Sequence, residues 1–303
     1  VRLTRDTVRI PPALRANWAD WRLGDIDALV ADVLSRCAAA VHAWDLGSLQ
    51  PLPGGEVALV LAAHTPGGEA VLKLSPRPLD APRSLEGEAL AAWALHGAAP
   101  RVLGTRDAGS TLLLERIRPG DTLRETGAGA REIVEAVGML CPRLHLPAEQ
   151  VAGAGFPTLA DHAQQDGWFS ALSGTREHDE LVRLTRPEAG DRLLHVDLHW
   201  LNVLEGPHGR MAIDPKPCVG DPCADVWVFF DGPPRREIPG RSRAAREYLR
   251  GLIDLYAGAS GLDPARLPAW IRIRANVTLS QSDPSATRER GLSLLAEAAS
   301  DQR

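Results

Sequence analysis

The stretch from Leu193 to Phe230, LLHVDLHWLNVLEGPHGRMAIDPKPCVGDPCADVWVFF, limits what this chain can fold into more than any other. Asp197 and Asn202 lie close together in a segment opened by His195. The run GRMAI reads as an apolar strand that stops at Asp214. Gly220-Asp221-Pro222 then predicts the start of an apolar helix carrying Asp225, with Asp221 as cap and Pro222 at the first helical position.

The chemistry follows from the residue types and their order. A carboxylate at Asp197 suits a hydroxyl that must be aligned and relieved of its proton. Asn202 offers a neutral oxygen and Asp214 a hard anionic one, a pair that suits Mg2+ beside a triphosphate. Together they point to phosphoryl transfer from a nucleotide to a hydroxyl. His195, Asp197 and His199 also spell H-x-D-x-H, the kind of cluster some metal-dependent hydrolases use. That alternative needs further ligands, and no second histidine cluster occurs; His195 is better read as bracing the loop, and Asp225 either caps a surface helix or holds the loop around His195 and Asp197 by hydrogen bonds.

Upstream residues supply partners. A turn at Pro53-Gly54-Gly55 precedes a strand over Val57–Ala63, and a second turn at Thr65–Gly68 leads into a strand over Glu69–Leu74 that carries Lys73. Gly54 and Gly55 either lie over nucleotide phosphates or serve only a tight turn. Of 34 basic residues only Lys73 and Lys216 are lysines, so each stands out, and a compact ammonium suits a crowded phosphate site. A helix over Ser84–His96 puts Glu86 on the face of Leu90 and Trp93, where it is the expected partner of Lys73; Glu88 points elsewhere. The other reading places both glutamates in solvent at the helix start.

A chain of 303 residues predicts two lobes, and the strand Leu112–Ile117 stopping at Arg118-Pro119-Gly120 places the boundary after residue 117. The expected lobes are 1–117, binding nucleotide with backbone groups near Glu115 and Ile117, and 118–303, catalytic and substrate-binding. Helices are also expected over Ile26–Trp44, Ala130–Leu146 with a break near Pro142, Arg241–Tyr256, Leu267–Leu279 and Ser285–Ala298. Net charge of −5 argues against a nucleic-acid partner. No apolar run is long enough for a membrane span, and a cytoplasmic monomer is expected. Cys37, Cys141, Cys218 and Cys223 match no zinc spacing and are expected to pack as thiols.

The runs AVLKL, EGEALAAW, TLLLERIRPGDTL, LLHVDLHWLNVL and AIDPKPCVGDPCADVW, in this order from Ala70 to Trp227, resemble the aminoglycoside phosphotransferases. The likeness is greatest to the branch of streptomycin 6-phosphotransferase and the hydroxyurea phosphotransferases. It implies an α+β, protein-kinase-like two-lobed fold with a small β-rich N-lobe and a larger, mainly helical C-lobe. It also implies ATP (with GTP as the alternative) and Mg2+, a small-molecule antibiotic as acceptor, and resistance by modification. By the resemblance Asp197 is catalytic, Asn202 and Asp214 hold magnesium, Lys73 and Glu86 anchor phosphates, and Asp225 braces. The PGGEV turn lacks the full kinase glycine pattern, and Lys216 has no protein-kinase counterpart, so it is assigned to the transferring phosphate or the acceptor. A streptomycin-type acceptor is cationic and calls for carboxylates, for which Asp231, Glu237, Glu247, Asp254 and Asp283 are candidates; Trp227 and Trp270 either stack on a ring or pack. Kinases of other natural products or sugars, and a non-catalytic binding module, are the alternatives.

Overall fold

The computed structural model describes residues 8–53, 55–76, 83–233, 237–239, 243–281 and 286–300. The chain divides into two compact units, Val1–Ala94 with Pro100–Ile117 and Leu95–Ala99 with Arg118–Arg303. The segment Leu95–Ala99 goes with the second unit because its carbonyls are used there. Ala98 O accepts from Ala212 N at 2.7 Å, and Gly97 O from Arg143 Nη1 at 2.8 Å.

The first unit is an antiparallel sheet with two helices against one face. Helix α1 spans Pro12–Asp20 and α2 spans Ile26–Ala43, the latter capped by Asp25, whose carboxylate accepts from Asp27 N and Ala28 N. The strands are β1 (Gln50–Pro51), β2 (Leu59–Thr65), β3 (Gly68–Leu74), β4 (Val102–Arg106) and β5 (Thr111–Glu115), in spatial order β1-β2-β3-β5-β4. Strand alternation decides what each face carries. Leu72 and Leu74 enter the apolar core with Trp18, Val33 and Leu61, and Lys73 between them points to the opposite face. There it meets helix α3 (Glu86–Ala94). The buried Arg36 ties α2 to the sheet ends, donating to Ser75 O at 2.8 Å and Thr111 Oγ1 at 3.0 Å.

The second unit is mainly helical. Its long helices are α4 (Ala130–Leu144), α9 (Arg243–Ser260), α10 (Leu267–Gln281) and α11 (Ala286–Ser300), with short α5 (Ala148–Val151), α6 (Leu159–Gln165), α7 (Trp168–Ala171) and α8 (Arg176–Leu184) between. Two antiparallel pairs flank the 193–230 stretch: β6 (Arg192–Leu194) with β9 (Cys218–Gly220), and the hairpin β7 (Val203–Gly206) with β8 (Gly209–Ala212). Helix α4 continues two residues beyond Pro142 before stopping. It packs against α9 at a glycine: a Cβ at Gly138 would stand 2.8 Å from Ala259 Cβ, so only glycine permits this approach. The helix expected after Gly220 does not form. Two 3-10 turns, Pro222–Ala224 and Trp227–Phe229, take its place, because the chain bends at Asp225 to turn its carboxylate inward. All four cysteines are buried and free. Among the described residues no helix is long and apolar enough to cross a membrane.

Candidate active site

The 193–230 stretch is built around Asp225, which has no exposure. Its Oδ2 accepts from His195 N at 3.0 Å and its Oδ1 from Val196 N at 2.6 Å. His145 Nε2, at the end of α4, lies 3.0 Å from the same Oδ2, and Tyr256 of α9 donates its hydroxyl to Asp225 O. Burial alone would raise the Asp225 carboxyl. The hydrogen bond and charge of His145, with His195, outweigh it and hold the carboxyl below its ordinary value. Val196 sits at φ +63°, a region β-branched residues seldom occupy. The two bonds from Asp225 hold it there, and the bend delivers the next residue, Asp197, to the surface of the unit.

Asp197 is partly exposed, with Lys216 Nζ at 3.4 Å from Oδ2 and His199 Nε2 at 3.9 Å from Oδ1. Its carbonyl accepts from Asn202 Nδ2 at 2.9 Å, which leaves Asn202 Oδ1 as the free end of that buried amide. Ile213 N donates to Asn202 O at 2.9 Å, so Asp214 follows directly beside Asn202. Asp214 is exposed and held at φ +58°. His199 Nε2 lies 3.2 Å from Asn202 Nδ2, on the amide's nitrogen side, so the residues offer a neutral amide oxygen and an anionic carboxylate, donor types that fit Mg2+. His195 turns the other way. Its Nε2 lies 2.9 Å from Ile213 O, and Lys216 N donates to His195 O at 3.0 Å, so its role is to clamp the Asp214 segment onto the Asp197 loop. Among the described residues no three His, Cys, Asp or Glu side chains form a group placed to hold a metal ion.

In the first unit Lys73 and Glu86 are both buried and meet at 2.6 Å. Gly55 has a steric reason of its own: a Cβ there would lie 2.4 Å from Ala58 O. Gly54 falls outside the described residues. Glu115 N donates to Arg101 O at 2.9 Å and its carboxylate meets Arg101 Nε at 3.2 Å, and Ile117 closes the unit.

A pocket of about 210 Å³ opens beside Asp197 within the second unit. Its walls include Asp166, Lys216, Trp168, Trp227 and Arg274. Two of the candidate substrate residues stand outside this pocket. Trp270 is fully buried and donates Nε1 to Asp221 Oδ2 at 2.7 Å, so it packs and meets no ligand. Asp231 does not line the pocket; it accepts from Trp200 Nε1 at 3.3 Å and Gly232 N at 2.8 Å. Glu237 and Glu247 are engaged by Ala130 N and Arg243, Asp254 is not a lining residue, and Asp283 lies outside the described residues. The carboxylate that does line the pocket besides Asp197 is Asp166, which no motif marks. His162, His145, Tyr256 and Arg274 are also missed by motif reasoning. Arg274 alone left a signal: an arginine four residues after Trp270, on the helix face that also carries Leu267 and Ile271.

Burial lowers both His195 and His162 from the ordinary 6.5. Below pH 6.5 the unfolded chain therefore takes up protons at these positions that the folded chain does not. Stability is expected to fall with pH from that point, with a slope approaching about 1.4 kcal/mol per pH unit for each histidine. Asp225, with its lowered carboxyl, adds a further loss only below the ordinary carboxylate range. Urea midpoints measured across this range check the sign; a midpoint that rises on acidification contradicts it.

The sequence model of the family described as aminoglycoside/hydroxyurea antibiotic resistance kinase matches residues 44–283. Streptomycin 6-kinase of Streptomyces glaucescens is 31% identical, covering 97% of this chain and 98% of its own. Hydroxyurea phosphotransferase of Kitasatospora aureofaciens is 34% identical over 78% of this chain and 68% of its own. Among solved structures, a thermostable mutant of aminoglycoside phosphotransferase APH(4)-Ia, in a ternary complex with ADP and hygromycin B, superposes with a TM-score of 0.51. It is 18% identical, covering 86% of this chain and 97% of that one, so the likeness speaks for the α+β kinase-like fold.

Proposed function

The chain belongs to the aminoglycoside/hydroxyurea antibiotic resistance kinases and is a phosphotransferase acting on a hydroxyl, and from that premise we propose that it transfers the γ-phosphoryl of ATP to a streptomycin-type aminoglycoside. The observation that carries this reading is the seat of Asp197. Its carboxylate stands at a pocket that also holds Asp166, and Val196 and Asp225 keep it from turning away.

In the proposed reaction Asp197 accepts a hydrogen bond from the acceptor hydroxyl and orients its lone pair toward the γ-phosphorus. The new P–O bond forms as the bond to the bridging oxygen breaks, ADP departs, and the hydroxyl proton passes to the Asp197 carboxylate and on to solvent. Lys73, held by Glu86, pairs with the nucleotide phosphates. Asn202 and Asp214 would hold magnesium, which would offset the charge of the phosphate oxygens. Lys216, beside Asp197, meets the charge that develops on the transferring group. At about 210 Å³ the pocket falls below the roughly 300–1,000 Å³ that encloses a drug-sized ligand, so it receives one ring of the antibiotic.

A second reading, a small neutral acceptor such as hydroxyurea, is favoured by the two cations in the pocket, Lys216 and Arg274, which balance its two carboxylates. ATP consumption with streptomycin and with hydroxyurea separates the two. An Asp166→Asn variant sharpens the comparison. Loss of one pocket carboxylate is expected to raise KM for streptomycin roughly 10-fold while leaving that for hydroxyurea unchanged. Turnover of hydroxyurea alone selects the second reading, and turnover of neither compound overturns both.

A further inference from the structure

Arg274 on α10 has no part in the reaction just described, and its surroundings are unusual for a cation. It is 8% exposed. Its guanidinium carbon lies 3.9 Å from the centroid of one Trp168 ring and 4.7 Å from one of Trp227, and Trp227 in turn stacks on Phe230 at 5.6 Å. The guanidinium therefore lies over indole rings of both tryptophans. It carries five N–H donors. Among the described residues no hydrogen bond or ion pair takes those donors, and the nearby carboxylates Asp166 and Asp197 stay beyond ion-pair distance. Burial pushes the guanidinium down to about 10, which leaves it charged at neutral pH.

A buried charge with idle donors is costly, and structural arginines normally have a carboxylate or carbonyl to meet. Arg36 in the first unit illustrates the ordinary case, with Asp32, Ser75, Ser110 and Thr111 around it. Arg274 differs in facing a pocket. Thr278 and Gln281, four and seven residues on, line the same pocket from the same helix face.

We propose that Arg274 is a specificity-determining residue: the Trp168 and Trp227 rings hold its guanidinium flat so that its edge receives paired oxygens of the acceptor, vicinal hydroxyls or a carbonyl, next to the hydroxyl that Asp197 orients. The inference rests on the reading that this pocket holds the antibiotic. It adds that the pocket recognises a neutral, oxygen-bearing part of the acceptor as well as any cationic substituent, which falls to Asp166. A lysine cannot substitute, since a point charge offers no planar fork and stacks poorly on two indoles.

The test compares wild-type chain with Arg274→Met and Arg274→Lys, using streptomycin and hydroxyurea as acceptors and measuring KM for acceptor and for ATP separately. Methionine fills the space between the rings without donors. The expected result is a rise of roughly 10- to 100-fold in acceptor KM for both variants, with KM for ATP within about twofold. A merely packing role predicts otherwise. An Arg274→Met chain with wild-type acceptor KM overturns the inference. Should that variant fail to fold by tryptophan fluorescence and thermal melting, Arg274→Lys carries the same decision, and its unchanged acceptor KM is the adverse result. A wild-type chain that turns over neither compound overturns the acceptor reading and this inference with it, whereas active wild type with insensitive variants overturns this inference alone.

Discussion

An Asp197→Ala chain is expected to keep its fold and its affinity for both substrates while kcat falls by roughly 10²- to 10⁴-fold, the range a positioned general base supplies. The side chain is partly exposed and supports no packing, so thermal stability is expected to change little. Its polar neighbours, Lys216 and His199, lie at 3.4 and 3.9 Å, distances that cost little to lose. The measurement is steady-state ATP consumption with saturating acceptor, read beside a thermal melt. A variant with wild-type kcat removes Asp197 from the mechanism and moves the base to another residue. An unstable variant with proportionate loss of both parameters assigns Asp197 to structure instead.

Asp225→Ala is expected to do the opposite kind of damage. The carboxylate is fully buried and receives His195 N, Val196 N and His145 Nε2 together. Removing it strands two backbone donors and a histidine in the interior, at a cost of about 3–5 kcal/mol. For a chain of this size that corresponds to a drop in Tm on the order of 10 °C. Val196 also loses the bonds that hold its left-handed backbone, so Asp197 loses its aim and kcat is expected to fall as well. Asp225→Asn keeps one acceptor oxygen and is expected to land between the two. Calorimetry with parallel kinetics distinguishes the effects: an Asp225→Ala chain that melts with the wild type sinks the claim that this residue holds the loop.

Much of the reacting end was legible from the residues because its parts are consecutive. Asp197, Asn202 and Asp214 fall within one short run, and strand alternation with the count of lysines singles out Lys73. The pairing of Lys73 with Glu86 could be anticipated because both follow from local periodicity on adjacent elements. The helix expected after Gly220 fails for a reason that periodicity does not carry. The demand of the His195 and Val196 backbone for an acceptor bends the chain at Asp225, and that demand arises from residues thirty positions earlier. Which of its two readings holds for Trp270 is decided likewise by a partner remote in sequence, Asp221.

The primary structure was sufficient for the kind of reaction, since transfer chemistry needs few groups and this chain keeps them close together in order. It was not sufficient for the pocket that receives the acceptor. Asp166 comes from the turn that ends one short helix and Trp168 from the start of the next, Trp227 from a 3-10 turn, and Arg274 from a helix near the C-terminus. Each alone reads as surface charge or core. Only packing brings them onto one pocket, and only there does a plain arginine lie over two indoles with no hydrogen-bond partner for its guanidinium among the described residues. The Asp197 loop shows the same division: the residue was readable from its neighbours, but its aim depends on a bond network that reaches back to His145 and forward to Tyr256.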